Sequence, residues 1–208
     1  MMYRPPAFAT NDIAASHAAI RTRVFATIAC LIDGTIALAY APVVLDADDG
    51  PFGSARLHLA AANPVARVPS GTAMTLSFLG PDAYVSPDWY ETQGRVPTWN
   101  YIAVEGRGTA ERVDAEALRQ MLVDLTAAEE SKLLPKPPWT IDKVPEAKMG
   151  ALLNAIVGFR IRFETLEGKF KLSQNGAPAD AEGVRHGLVE RGDPASAAVA
   201  EHMRGVVR

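Results

Sequence analysis

Gly158-Phe159-Arg160-Ile161-Arg162-Phe163-Glu164 alternates strictly from Phe159 onward, with apolar side chains at odd positions and charged ones at even positions. A period of two marks a β-strand with one face in a core and the other in water. Glu167-Gly168 then reads as a turn, and Lys169-Phe170-Lys171-Leu172-Ser173 alternates again ahead of Gln174-Asn175-Gly176. Working outward, residues 24–32 form an apolar strand and Asp33-Gly34 a hairpin turn whose residues tolerate positive φ. Residues 35–45 form the return strand, with Pro42 suggesting an edge or a bulge. Residues 56–60, 72–79 and 99–113 read as further strands, with Gly106 and Gly108 marking a bend or bulge in the last. Strands in hairpin-like order predict an antiparallel β-barrel of α+β class with peripheral helices.

Thr10 or Asn11 caps a first helix that runs to about residue 21, with Ile13 and Ile20 on its apolar side. Asn63 caps a short helix begun by Pro64. Asp114 caps an amphipathic helix carrying Leu118, Met121, Leu122 and Leu125 at helical spacing. The Pro-rich residues 134–139 break it, and a second helix follows from about residue 145, with Met149, Leu152, Leu153 and Ile156 on one face. The result is a helical insertion at about 114–156. The alanine-rich tail, about 177–208, reads as two helices broken at Gly192-Asp193-Pro194. No repeat and no long linker divide the chain, which predicts a single domain over residues 1–208.

Lys and Arg number 21 against 24 acids, a net charge of −3 over 208 residues. That balance argues against broad nucleic-acid binding, which needs clustered positive charge. The single cysteine, Cys30, rules out a disulfide framework or a multi-Cys metal site, and its apolar surroundings predict a buried, inert thiol. The N-terminus lacks a signal-peptide layout, and no apolar run is long enough to span a membrane, so a cytoplasmic protein is expected. Asp46, Asp48 and Asp49 lack EF-hand spacing and read as a solvated loop. There is no GxSxG, HExxH, Walker or Rossmann pattern, so the residues alone name no enzyme class.

Three places could carry a ligand. Gly80-Pro81-Asp82-Ala83-Tyr84-Val85-Ser86-Pro87-Asp88-Trp89-Tyr90 and Val96-Pro97-Thr98-Trp99-Asn100-Tyr101 pack aromatics among turn formers. Trp89, Tyr90, Trp99 and Tyr101 could form core, an interface, or the walls of a planar-ligand site beside Ser86 and Asn100. Arg56 and His58 share a strand face just before the Asn63 helix start, where free N–H groups could meet an anion; a surface histidine beside a cap is the plainer alternative. Lys169, Lys171 and Ser173 also share a face and could pair with a phosphate, with Gln174 and Asn175 reaching a heterocycle edge; a lysine-guarded edge strand fits equally well.

Taken together, His58-Leu59-Ala60-Ala61-Ala62-Asn63-Pro64, the two aromatic stretches, Ile156-Val157-Gly158-Phe159 and Glu167 to Asn175 resemble the PaiB-type family of FMN-binding negative transcriptional regulators. The resemblance extends from Met2 to about Leu188. It implies a split β-barrel similar to pyridoxamine phosphate oxidases and flavin reductases, homodimeric, with FMN in a cleft between subunits. It further implies that Lys171, Ser173 and His58 meet the FMN phosphate and that Trp99 and Asn100 lie near the flavin ring. Asn63, Ser86, Trp89 and Gln174 complete the candidate cofactor set. Where the family pattern expects Thr-His-X-Pro, this chain has Ala39-Tyr40-Ala41-Pro42, a departure that bears on how tightly flavin is held. The chain shows no helix-turn-helix signature and no strongly basic segment, so a regulatory role would be indirect. The alternative functions are a flavin-dependent oxidoreductase of the flavin-reductase or pyridoxamine-oxidase type and, more remotely, haem binding through His58.

Overall fold

The computed structural model describes residues 1–205. Its strands are β1 (Ala9–Thr10), β2 (Phe25–Ile32), β3 (Thr35–Asp46), β4 (Ser54–Ala60), β5 (Ala73–Val85), β6 (Thr98–Arg112) and β7 (Ile156–Lys171). They pair in the order β1-β7-β4-β3-β2-β5-β6, and β6 also pairs with β7, so the hydrogen-bonding order returns on itself. The helices are α1 (Ile13–Arg23), α2 (Ala115–Ser131), α3 (Glu146–Asn154), α4 (Pro178–Arg191) and α5 (Pro194–Met203). The expected α+β antiparallel barrel is thus what the chain forms. No helix among the described residues is long and apolar enough to cross a membrane.

The described residues gather into two compact units. The first comprises Met1–Thr22, Leu79–Glu105 and the chain from Glu167 on; the second comprises Arg23–Phe78 and Gly106–Leu166. The division passes through β5, β6 and β7.

In the second unit the alternating pattern does what its period requires. Phe159, Ile161 and Phe163 are fully buried, while Arg160 and Arg162 face outward, where both donate to Asp49. Each buried Phe contributes about 2–3 kcal/mol of hydrophobic stabilisation. The acidic loop is therefore not merely solvated. Asp49 clamps two arginines, and Asp46 accepts from Arg56 at 2.6 and 2.8 Å. Pro42 lies in a strand paired on both sides, at the point where β3 leaves β2 (Phe25↔Pro42) and takes up β4 (Val43↔Leu57), so its missing N–H costs no ladder bond to β4. β6 is continuous through Gly108, and a Cβ there would lie 2.0 Å from the Arg162 carbonyl oxygen. Glycine is needed for that close approach of β7.

α2 starts where expected, with Asp114 Oδ1 accepting from Ala117 N, and it buries Leu118 and Met121. α3 buries Met149 but leaves Leu152 exposed. Cys30 is buried, and burial raises its thiol pKa, in keeping with an inert role.

In the first unit α1 is capped one residue later than expected, by Asp12 accepting from Ala15 N, and it buries His17 and Ile20 while Ile13 stays exposed. β5 continues through Gly80 and Pro81 to Val85. β7 also runs on through Glu167 and Gly168, where a turn was expected, because β1 pairs with it there (Thr10↔Gly168, Ala9↔Lys169). α4 ends at Gly192, φ 73°, and Asp193 caps α5. The anticipated break is in place; residues 206–208 of the expected helical tail lie outside the described residues. Val85, Ile102, Leu172, Val184, Leu188 and Val199 form the core of this unit.

Candidate functional site

The first unit brings together four candidates, Lys171, Ser173, Trp99 and Asn100, from the end of β7 and the start of β6. The Lys171 ammonium donates to the Thr98 hydroxyl and to the Trp99 carbonyl oxygen at 2.7 Å. Asn100 is fully buried, and its Nδ2 donates to Ser173 Oγ at 2.9 Å. Ser173 takes φ 64°, which turns the chain out of β7 and aims its hydroxyl back at Asn100. Lys171, Thr98, Asn100 and Ser173 line a cavity of about 160 Å³, together with Tyr90 and Arg95. Trp99 is 52% exposed and meets Tyr84 edge-on, with ring centroids 6.1 Å apart. The arrangement offers a cation and hydroxyls for an oxyanion, beside an aromatic surface on which a planar ring can stack.

Lys169 is a surprise. The edge-strand alternative requires a solvated side chain, yet this lysine is 8% exposed. Its ammonium sits 5.1 Å from the Tyr3 ring centroid and 5.2 Å from that of Tyr101. Lys171 is half-buried and stacks over Phe8 at 5.9 Å. Burial lowers the Lys171 pKa, and the neighbouring Lys169 charge lowers it further. Among the described residues neither lysine forms an ion pair. Glu167, the acid on the same strand face, accepts instead from the Met2 N–H at 3.0 Å and pairs with Arg4.

The remaining candidates of this unit have structural duties. Ser86 Oγ accepts from Asp88 N and caps the single turn Pro87–Trp89. Trp89 lies flat on α4: a Cβ on Gly187 would come within 2.4 Å of its ring, so only glycine admits the contact. Gln174 folds back on its own strand, accepting from Leu172 N at 2.7 Å and donating to the Phe170 carbonyl. Arg95, not singled out from the sequence, pairs with the buried Asp180 and stacks over Tyr90. The Gly-x-x-x-Gly spacing of Gly183 and Gly187 was the only sequence hint that a large ring would seat on α4.

His58 and Asn63 belong to the second unit. Asn63 Oδ1 accepts from Val65 N at 2.9 Å, capping a four-residue turn, Pro64–Arg67. Arg56, its side chain 19% exposed, is already held by Asp46 and by Asp124 at 2.8 Å. The anion reading of Arg56, His58 and the helix start is thereby weakened, since its cation is neutralised and its cap is in use. His58 Nδ1 is buried without a hydrogen-bond partner, and burial lowers the imidazole pKa, so the ring is neutral near pH 7. A second cavity, about 610 Å³, is lined in this unit by Leu31, Ile36, Met74, Thr75, Arg107 and Glu164. Beside it, cross-strand pairing sets Phe25, Leu31, Ile36, Leu38 and Tyr40 on one exposed sheet face without a charge among them.

The sequence profile of the family described as "Putative FMN-binding domain" matches residues 2–165. The protease synthase and sporulation protein PAI 2 of Bacillus subtilis is 33% identical over 147 residues, which is 70% of this chain and 70% of that protein. Among solved structures, a FAD and heme binding protein from Mycobacterium smegmatis superposes with a TM-score of 0.57 at 16% identity, covering 78% of this chain and 73% of that one. A flavocytochrome from Azotobacter vinelandii gives a TM-score of 0.54, also at 16% identity, over 78% and 69%. At such identity these two structures speak for the fold.

Proposed function

Because the chain belongs to the PaiB-type family of FMN-binding split-barrel proteins, we propose that it holds FMN with the phosphate at Lys171, Thr98 and Ser173 and the flavin ring against Trp99. The observation that carries this placement is the Lys171 ammonium, which donates to the Trp99 carbonyl, lines a cavity with Thr98 and Ser173, and forms no ion pair among the described residues. Asn100 has the supporting task of holding Ser173, and His58 could offer a hydrogen bond rather than a charge.

The functional unit in this reading is a cytoplasmic homodimer. The neutral apolar face of β2 and β3 supports it, because two identical uncharged faces can meet without burying an unpaired charge. Its role in transcription is indirect, exerted through flavin binding, in keeping with a net charge of −3 and no strongly basic segment. A flavin-dependent oxidoreductase is the second reading: a ring stacked on the half-exposed Trp99 would leave its other face open to an electron donor.

An absorbance and fluorescence titration of the apo-protein with FMN, with the solution mass measured alongside, tests the first reading. Saturable binding by a dimer is expected, with Lys171→Ala and Trp99→Ala each weakening it and Leu38→Glu shifting the mass toward monomer. No saturation at high micromolar FMN sinks it. Reoxidisable reduction of bound FMN by NADH or NADPH would favour the second.

A further inference from the structure

An ammonium group withdrawn from water needs an anion, and aromatic faces compensate only part of its lost hydration. Among the described residues Lys169 has only such faces, from Tyr3 and Tyr101, and two residues along the same strand stands a second cation, Lys171, with no ion-pair partner among them. Two like charges held side by side on one strand repel, and among the described residues no ion pair to either ammonium offsets them. Yet the surroundings are built rather than accidental. β1 pairs Ala9 with Lys169, Phe170 N donates to the Phe8 carbonyl, and Glu167 ties down the Met2 N–H and Arg4. The exposed piece is Tyr3, which is 80% exposed and covers Lys169 from outside.

We propose that Lys169 and Lys171 together form an oxyanion site of the first unit, that Tyr3 is its displaceable cover, and that its occupant is a phosphate monoester group. The proposal deepens the FMN reading and rests on it in naming the flavin's phosphate as the biological occupant; inorganic phosphate shares the chemistry and reports on the site separately. Lys171 delivers its charge from the Thr98 side of the pair, Lys169 from beneath Tyr3, with the Tyr101 ring against the Lys169 ammonium. Lys169 then becomes the residue that separates FMN from riboflavin. The two ligands share the ring and differ in the phosphate.

The test is calorimetric titration of the full chain with FMN, riboflavin and inorganic phosphate, using wild type, Lys169→Met, Lys171→Gln and Tyr3→Ala. Losing one charge-assisted contact to phosphate should weaken FMN binding about tenfold or more in Lys169→Met and leave riboflavin unchanged. Inorganic phosphate should compete with FMN in wild type and compete far more weakly in both lysine variants. Tyr3→Ala should bind phosphate more tightly. Circular dichroism confirms folding, and if Lys169→Met is misfolded the Lys171→Gln and Tyr3→Ala arms still decide. FMN bound equally by wild type and Lys169→Met overturns the site and leaves the flavin reading standing. Phosphate binding that depends on both lysines, without any FMN binding, keeps the site and removes the flavin. No phosphate binding and no FMN preference over riboflavin overturns the proposal.

Discussion

The two units treat their positive charges differently. In the second, every arginine described above on β4 and β7 is matched: Arg56 by Asp46 and Asp124, Arg160 and Arg162 by Asp49. In the first, Arg4 and Arg95 have acids, but Lys169 and Lys171 are left to aromatic rings, a hydroxyl and a carbonyl. A matched cation ties strands together. An unmatched one, held in place by the same kind of scaffold, is what the proposed anion site is built on. The comparison separates residues that maintain the barrel from residues that use it, and it can be broken by experiment.

The largest effect should come from a matched cation. Arg56→Met leaves Asp46 and Asp124 without the guanidinium between them, a loss of about 2 kcal/mol after allowance for partial exposure. For a chain of this size that lowers Tm by roughly 4–8 °C in a thermal melt. A melt unchanged from wild type would mean the acid network is decorative and the contrast unfounded.

Asp180 gives the acid-side signature of the same principle. The Thr92 backbone N–H, and after it the Arg95 guanidinium, hold this buried carboxyl below its usual pKa, against the opposing effect of burial. A carboxyl depressed in the folded state contributes stability above its unfolded pKa and loses it as pH falls through the folded one. Thermal melts should therefore show Tm falling in wild type between about pH 4 and the lower folded value. Asp180→Asn should be less stable near neutrality and flatter across that window; equal slopes would take Asp180 out of the account.

Lys171 supplies the base-side signature. Burial, and then the Lys169 charge, lower its pKa, so its charged form is disfavoured in the free protein. Phosphate needs that charge. Affinity for inorganic phosphate should fall with rising pH earlier than an ordinary lysine, near pH 10.4, would allow. In Lys169→Met the residual affinity should fall later, because the repulsion is gone. Identical pH profiles would show that the two ammonium groups do not sense each other.

Much of the fold was legible because it depends on local period and on turn chemistry. The alternation around Phe159, the Asp33-Gly34 hairpin, the Asp114 cap and the break at Gly192 each follow from a few neighbouring residues. Failures came where distant chain decides. Glu167-Gly168 has turn composition, but β1 docks there and a Cβ on Gly168 would lie 2.4 Å from Thr10 Cγ2, so its glycine serves packing. Trp89 was a candidate ligand wall until α4, nearly a hundred residues later, laid two glycines beneath it. Ser86, Asn63 and Gln174 carry the polar atoms a ligand would want and use them on their own backbone. Lys169 read as a possible edge lysine because nothing near it in sequence reveals that Tyr3 will cover it.

The smallest expected effect is the most discriminating. Lys169→Met removes a buried ammonium and two cation–π contacts of roughly 0.5–2 kcal/mol each, and relieves a desolvation penalty of several kcal/mol. The methionine has similar length, and its sulfur also favours aromatic neighbours, so the shape is kept. The two terms nearly cancel, and Tm in phosphate-free buffer should stay within about 2 °C of wild type, or rise. Added phosphate should then raise the wild-type Tm and move the variant's much less, because the variant keeps only the Lys171 charge for the anion. If Lys169→Met instead melts as early as Arg56→Met, with or without phosphate, the lysine is holding the fold together, and the distinction between matched and unmatched cations fails at its most exposed point.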